Sequence, residues 1–115
     1  MRYQIGRVFS EPDVADLATS RLKRWLGMPR ETVLSFYDRD PDLDIRTLLP
    51  AIRVPTLIAH GTEDRQVPFA AAEYLAAHIP GAQLYPFEGY GHVPLFTATQ
   101  EFCDVLRRFV RSATV

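Results

Sequence analysis

The residues from Pro55 to Gly61, Pro-Thr-Leu-Ile-Ala-His-Gly, make an apolar run closed by a proline on one side and a glycine on the other. That is the pattern of a buried strand with a turn after it. A second strand is read at Gln83 to Phe87, and the segment between opens as a helix at Pro68 and stops at Pro80-Gly81, with Ala71, Tyr74, Leu75 and His78 on one stripe. Strand, helix, strand leaves little choice of topology, because a single helical crossover makes the strands parallel and the connection right-handed. Both strands then end on the same edge of the sheet. The turn holding Asp64 and the loop Glu88-Gly89-Tyr90-Gly91-His92 follow those ends, so the two can meet.

The first half of the chain is helical in pattern. Ser10-Glu11-Pro12-Asp13 marks a helix start with Ser10 as N-cap, and Val14, Leu17, Ala18, Leu22, Trp25 and Leu26 recur at helical spacing until Gly27. Pro29 to Tyr37 reads as a shorter helix with Val33, Leu34 and Tyr37 on one side. The charged turn Asp38-Arg39-Asp40-Pro41-Asp42 separates it from a short helical piece between Leu43 and Ile52, where Ile45, Leu48, Leu49 and Ile52 are apolar. After the second strand, Thr97 to Gln100 resembles a capping box that opens the last helix. Ala98, Phe102, Val105, Leu106, Phe109 and Val110 give that helix one continuous apolar face. The chain therefore divides near Pro50 to Val54 into a helical segment, 1–49, and a βαβα segment, 50–115.

Composition narrows the function classes. A chain of 115 residues with 47% apolar and 11% aromatic side chains can close one small core. Its formal charge of −1, from 13 basic and 14 acidic residues, provides no field for a polyanion, so no nucleic acid is expected as a partner. No apolar run has the length of a membrane span, and the first residues lack the apolar core of a signal peptide. The single Cys103 cannot form an internal disulfide, which fits a reducing compartment, and the expected location is cytoplasmic.

Asp64 and His92 carry the chemistry this arrangement allows. A carboxylate bonded to one imidazole nitrogen fixes the tautomer and steadies the imidazolium, which frees the other nitrogen to act as general base. Gly89 and Gly91 allow the loop to turn tightly enough to aim the ring. The plain alternative for Asp64 is a turn carboxylate, and for His92 a loop histidine bonded to backbone; Glu63 is the second choice of acid. His60 reads as the end of a buried strand with a bond to backbone, and His78 as a cation at a helix end. The three histidines lack the spacing or a cysteine partner for zinc, so neither a metal nor a cofactor is expected. Trp25, Phe36 and Tyr37 read as core, and Arg107, Arg108 and Arg111 as a solvated helix face.

Taken together, His60-Gly61-Thr62-Glu63-Asp64, then Val67-Pro68, then Gly89-Tyr90-Gly91-His92 closely resemble the carboxyl-terminal part of the α/β-hydrolase fold family. In that family a strand ending His-Gly-x-x-Asp carries the acid of a catalytic triad, and a later Gly-x-Gly-His loop carries its histidine. Ile52 to Ile58 matches the usual approach to the acid strand, and the resemblance extends from about Leu49 to Val110. It implies that Asp64 and His92 are catalytic, that the helices in 1–49 are the end of a cap, and that the complete enzyme is an esterase-like hydrolase of small-molecule acyl substrates.

One departure from the family pattern is decisive for activity. The family nucleophile lies earlier, on a Gly-x-Ser-x-Gly turn. Ser10, Ser20, Ser35 and Ser112 have no such setting here, and Cys103 lies inside the last helix between Phe102 and Asp104. The family's oxyanion-hole loop has no counterpart either. The expectation is the carboxyl-terminal portion of a larger hydrolase, a fragment that supplies acid and histidine and is inactive alone. The competing expectation is a non-catalytic remnant or interaction subunit that pairs with itself or a partner through an incomplete sheet.

Overall fold

The computed structural model describes residues 15–35 and 43–113. Two helices, α1 (Ala15–Leu26) and α2 (Arg30–Ser35), precede a 3-10 helix (Arg46–Ala51). Then come β1 (Leu57–Gly61), α3 (Phe69–His78), β2 (Gln83–Phe87), the short α4 (Pro94–Thr97) and α5 (Thr99–Ala113). The strands pair in parallel, with Leu57 opposite Gln83 and Gly61 opposite Phe87. This is the βαβα order read from the sequence with the short α4 added before the last helix, and it is an α/β portion built on a small parallel sheet.

The ladder fixes which backbone groups face which side. The Gln83 N–H donates to the Thr56 carbonyl (2.9 Å) and the Thr62 N–H to the Phe87 carbonyl (3.0 Å). A parallel ladder alternates residue by residue, so Gln83, Tyr85 and Phe87 turn their backbone groups toward β1, whereas Pro86 turns its nitrogen away from it. Proline costs this ladder no hydrogen bond and marks the outer side of β2 as an edge. On β1 the same alternation points the backbone groups of Leu57 and Ala59 away from β2. Among the described residues no strand lies on that side.

α3 covers the sheet through a different face from the one its spacing suggests. Ala72 is fully buried and Ile79, just past the helix, nearly so, while Ala71, Tyr74 and His78 are exposed. The sequence Phe-Ala-Ala-Ala-Glu-Tyr-Leu-Ala-Ala-His is apolar around most of its circumference, so periodicity does not choose a side. The sheet takes the Ala72 side, where a methyl group permits close approach. Tyr74 and His78 instead stack on each other outside, ring centroids 3.8 Å apart, and the His78 Nδ1–H donates to the Tyr74 carbonyl (2.7 Å).

Phe87 is the largest fully buried side chain, and it joins the end of β2 to α5. Its ring lies 5.9 Å from Phe102, 5.0 Å from Tyr85 and 6.3 Å from Tyr90 between centroids, and Ala98 and Val105 close the cluster. The apolar face of the last helix is therefore split. Val105 is buried, but Leu106 and Val110 on the same stripe are 44% and 52% exposed, as are Leu95 and Phe96 of α4 at 46% and 56%. The 3-10 helix buries Leu49 and leaves Ile45 and Leu48 exposed.

In the amino-terminal part, α1 ends before Gly27 as its sequence indicates, Trp25 is half-buried and Leu26 and Leu34 are exposed. No described side chain of α1 or α2 is buried. The Ser10 cap, Phe36, Tyr37 and the charged turn at 38–42 lie outside the described residues, as do the side chains of Leu17, Ala18 and Leu22. No described helix is long and apolar enough to cross a membrane.

Because Phe87 fills the junction of sheet and last helix, Phe87→Ala is expected to destabilise the chain by about 3–5 kcal/mol. Urea denaturation followed by far-UV circular dichroism measures it, and a loss below about 1 kcal/mol would show that the junction is not held by this ring.

Candidate active site

Asp64 stands just beyond β1 in a turn that folds back on its side chain. Its Oδ1 accepts the backbone N–H groups of Gln66 (2.7 Å) and Val67 (2.9 Å), the Asx-type geometry that suits aspartate to such turns. Its Oδ2 lies 2.7 Å from Nδ1 of His92, and the carboxylate is almost sealed from solvent, with a side-chain exposure of 1%. A carboxylate can only accept, so Nδ1 of His92 carries the proton and donates it. His92 is 27% exposed, and its Nε2 has no hydrogen-bond partner among the described residues.

A second imidazole touches the same oxygen. Nε2 of His60 lies 3.0 Å from the Val67 carbonyl and 3.2 Å from Oδ2 of Asp64. The sequence reading of His60 as a strand-end histidine bonded to backbone agrees with the first contact, and the second was not foreseen. Its signal was the strand itself, since a polar residue near the end of a buried strand must find a buried acceptor.

Burial pushes the Asp64 carboxyl toward its neutral form, but the N–H groups of Val67, His92 and Gln66, with the charge that His92 can carry, favour the anion more strongly. The net direction is downward from the ordinary carboxylate value. The site therefore holds a buried anion at neutral pH, aimed at one nitrogen of an imidazole whose other nitrogen is open. Such a pair can accept a proton from an incoming hydroxyl and stabilise the imidazolium that results.

The loop that carries His92 is stitched to the acid turn. The Thr62 N–H and hydroxyl both donate to the Phe87 carbonyl (3.0 and 3.4 Å), and the Thr62 hydroxyl oxygen accepts the Gly89 N–H (2.9 Å). The Glu63 N–H donates to the Tyr90 carbonyl (3.0 Å). Glu63 thus takes part through its backbone, with its side chain exposed.

Two glycines make the approach possible, and one of them, Gly61, is not among the two that the loop pattern singles out. Gly89 adopts a left-handed φ of +77°, as expected, but Gly91 does not. The other essential glycine is Gly61, which ends β1 just before the turn, as the sequence indicates. A Cβ built there would collide with the carbonyl oxygens of Tyr90 and Gly91, which pass directly over it. Two backbone carbonyls cannot yield as a flexible side chain can.

Two of the serines are bonded within their own helices. The Ser35 hydroxyl donates to Thr32 O and the Ser112 hydroxyl to Phe109 O, each within its own helix (2.8 Å in both). Ser20 is exposed on α1, Cys103 is half-buried in α5, and Ser10 lies outside the described residues. Among the described residues no hydroxyl or thiol is hydrogen-bonded to His92.

A buried acid and an oriented histidine beyond the carboxyl ends of two parallel strands are the features by which an α/β hydrolase is recognised. The chain belongs to the α/β hydrolase fold family, whose model matches residues 10–99. It is 32% identical over 107 residues, 93% of its length, to the pimeloyl-[acyl-carrier protein] methyl ester esterase of Vibrio atlanticus, and spans 41% of that protein. Over 65 residues, 56% of the chain, it is 43% identical to the enzyme of the same name from Aromatoleum aromaticum, and covers 26% of it. Among solved structures, an esterase from Exiguobacterium antarcticum superposes with a TM-score of 0.85 at 26% identity, over 96% of this chain and 41% of that one.

The lowered pKa of Asp64 ties stability to pH. A group titrating lower in the folded than in the unfolded chain contributes stability that is fully present above the unfolded value and is lost as pH falls through the folded one. The wild type is thus expected to lose stability from about pH 4 downward more steeply than Asp64→Asn, as measured by denaturant midpoints at stepped pH; parallel profiles would refute it. Gly61→Ala is expected to cost about 1–3 kcal/mol or more in the same measurement, and to perturb the amide resonances of Tyr90 to His92.

Proposed function

We propose that this chain is the carboxyl-terminal portion of an esterase-like α/β hydrolase, in which Asp64 is the triad acid and His92 the general base. The observation that carries this reading is the 2.7 Å contact from His92 Nδ1 to an Asp64 carboxylate of 1% side-chain exposure, with Nε2 left open. In the complete enzyme, Nε2 takes the proton of a serine from an upstream Gly-x-Ser-x-Gly turn as that serine attacks an acyl carbonyl. His92 then returns the proton to the departing alcohol, and Asp64 keeps the ring in one tautomer throughout. The helices of 1–49 form the end of the cap over the site, and residues 50–115 belong to the core.

Several features support the reading. The chain spans less than half the length of the esterases it matches. The outer edge of β1 has unsatisfied strand geometry at Leu57 and Ala59, where further strands of a larger sheet would pair, whereas Pro86 blocks extension beyond β2. The relatives named as methyl ester esterases point to an acyl ester as the bond that is cleaved. A single unpaired Cys103 suits work in the cytoplasm.

The same open edge favours a second reading, a non-catalytic subunit that pairs through β1 with another chain. The two readings separate in one assay set. On the first, the purified 115-residue chain hydrolyses p-nitrophenyl acetate no faster than buffer. The chain extended upstream through a Gly-x-Ser-x-Gly turn is active, and Asp64→Asn lowers its kcat by about 10³- to 10⁴-fold. Turnover by the 115-residue chain that His92→Ala abolishes, or full activity of the extended Asp64→Asn variant, would overturn the assignment.

A further inference from the structure

The Asp64 carboxylate is flanked by two imidazoles, and the catalytic reading uses only one. His60 is largely buried, 16% exposed at the side chain, with its ring edge-on to Phe69 at 5.9 Å between centroids. Its Nε2 sits between two oxygens that can only accept, the Val67 carbonyl at 3.0 Å and Asp64 Oδ2 at 3.2 Å. A bare nitrogen there would set its lone pair against both, so Nε2 carries a proton and donates to Val67. Val67 is also the residue whose own N–H donates to Asp64 Oδ1 at 2.9 Å. The imidazole thus grips the far end of the turn that holds the carboxylate, and its N–H lies against the oxygen that receives His92.

We infer that His60 is a positioning residue for the Asp64–His92 pair: its Nε2–H pins Val67 and closes the turn from Asp64 to Val67 around the carboxylate, so that Oδ2 is held toward His92. This rests on the reading of Asp64 and His92 as acid and base. The mechanism is mechanical and electrostatic together. Without the His60 N–H, Val67 is held through its own N–H alone, the turn can open away from Oδ1, and Oδ2 loses the positive edge beside it. The titratable groups against the carboxylate are His60 and His92, while Glu63 and Arg65 of the same turn are exposed. A purely packing role for the ring would be served equally by phenylalanine, which keeps the edge contact with Phe69 and offers no N–H.

The test is NMR on the whole 115-residue chain. Long-range ¹H–¹⁵N spectra of the wild type are expected to show His60 carrying a proton on Nε2. In His60→Phe, the ¹³C titration of the Asp64 carboxyl is expected to shift upward. The His92 Nδ1 proton should exchange with water about three- to tenfold faster, the factor that corresponds to one ordinary hydrogen bond. His60→Gln, which keeps an N–H near the same place, is expected to restore most of both. A bare Nε2 in wild-type His60, or a His60→Phe variant with unchanged Asp64 titration and His92 exchange, would overturn the inference. Where His60→Phe does not fold, the wild-type tautomer and His60→Gln decide it, the latter by titrating like the wild type or not. Failure of the acid–base reading itself would look different: His92 Nδ1 would carry no proton in the wild type, whatever the state of His60.

Discussion

The passage of the Tyr90 and Gly91 carbonyls over the Cα of Gly61 sets how near the two strand-end loops can come to each other. With any side chain at that point the loop from β2 would stand off by the width of a methyl group. The Glu63 to Tyr90 bond would then open, and His92 would be carried away from Asp64. Register supplies the other half of the constraint. Gly61 pairs with Phe87, so the last rung of the ladder lies directly beneath both loops, and the Phe87 carbonyl can serve Thr62 and Tyr90 at once. The buried Phe87 ring anchors that rung to α5, which couples the core of the unit to the geometry of its edge.

A carboxylate removed from water is costly unless donors replace the solvent it loses. Asp64 has its donors on both oxygens: the Gln66 and Val67 N–H groups on one, and the His92 ring on the other with His60 beside it. Burial alone would favour the neutral acid, and the net downward direction of its pKa means that these contacts outweigh it. The consequence is chemical as well as structural. A carboxylate kept charged in a dry setting interacts strongly with the adjacent imidazole, and that interaction grows when the ring gains a proton.

The parts of this architecture that were legible from the sequence are those set by local pattern. Pro55 to Gly61, the crossover stopped at Pro80-Gly81 and the amphipathic last helix each announce an element, and their order alone brings Asp64 and His92 to one edge. The parts that were not legible depend on contacts between segments distant in sequence. The buried face of α3 could not be read because an Ala-rich helix is apolar nearly all round, and the sheet takes its Ala72 side. Gly61 announced a turn but is required by a loop near Tyr90, and nothing in its neighbours records that. Thr62 and His60 are ordinary polar residues in sequence, and their partners, Gly89 and Asp64, become visible only when the turn is closed.

Among the described residues the sheet is closed to extension beyond β2 and has no neighbour beyond β1, and the asymmetry follows from single residues. Pro86 directs its nitrogen outward, where a neighbouring strand would need a donor, so β2 suits only an outer position. The outward backbone groups of Leu57 and Ala59 on β1 meet no such obstacle. The exposed Leu106 and Val110 on α5 and Leu95 and Phe96 on α4 add apolar surface of the kind that a larger core would cover. The acid and the histidine are nonetheless complete in themselves, since every contact that orients them comes from residues 60–92. If the pair acts as proposed, this internal holding means that the turn needs no further ordering when a nucleophile is supplied.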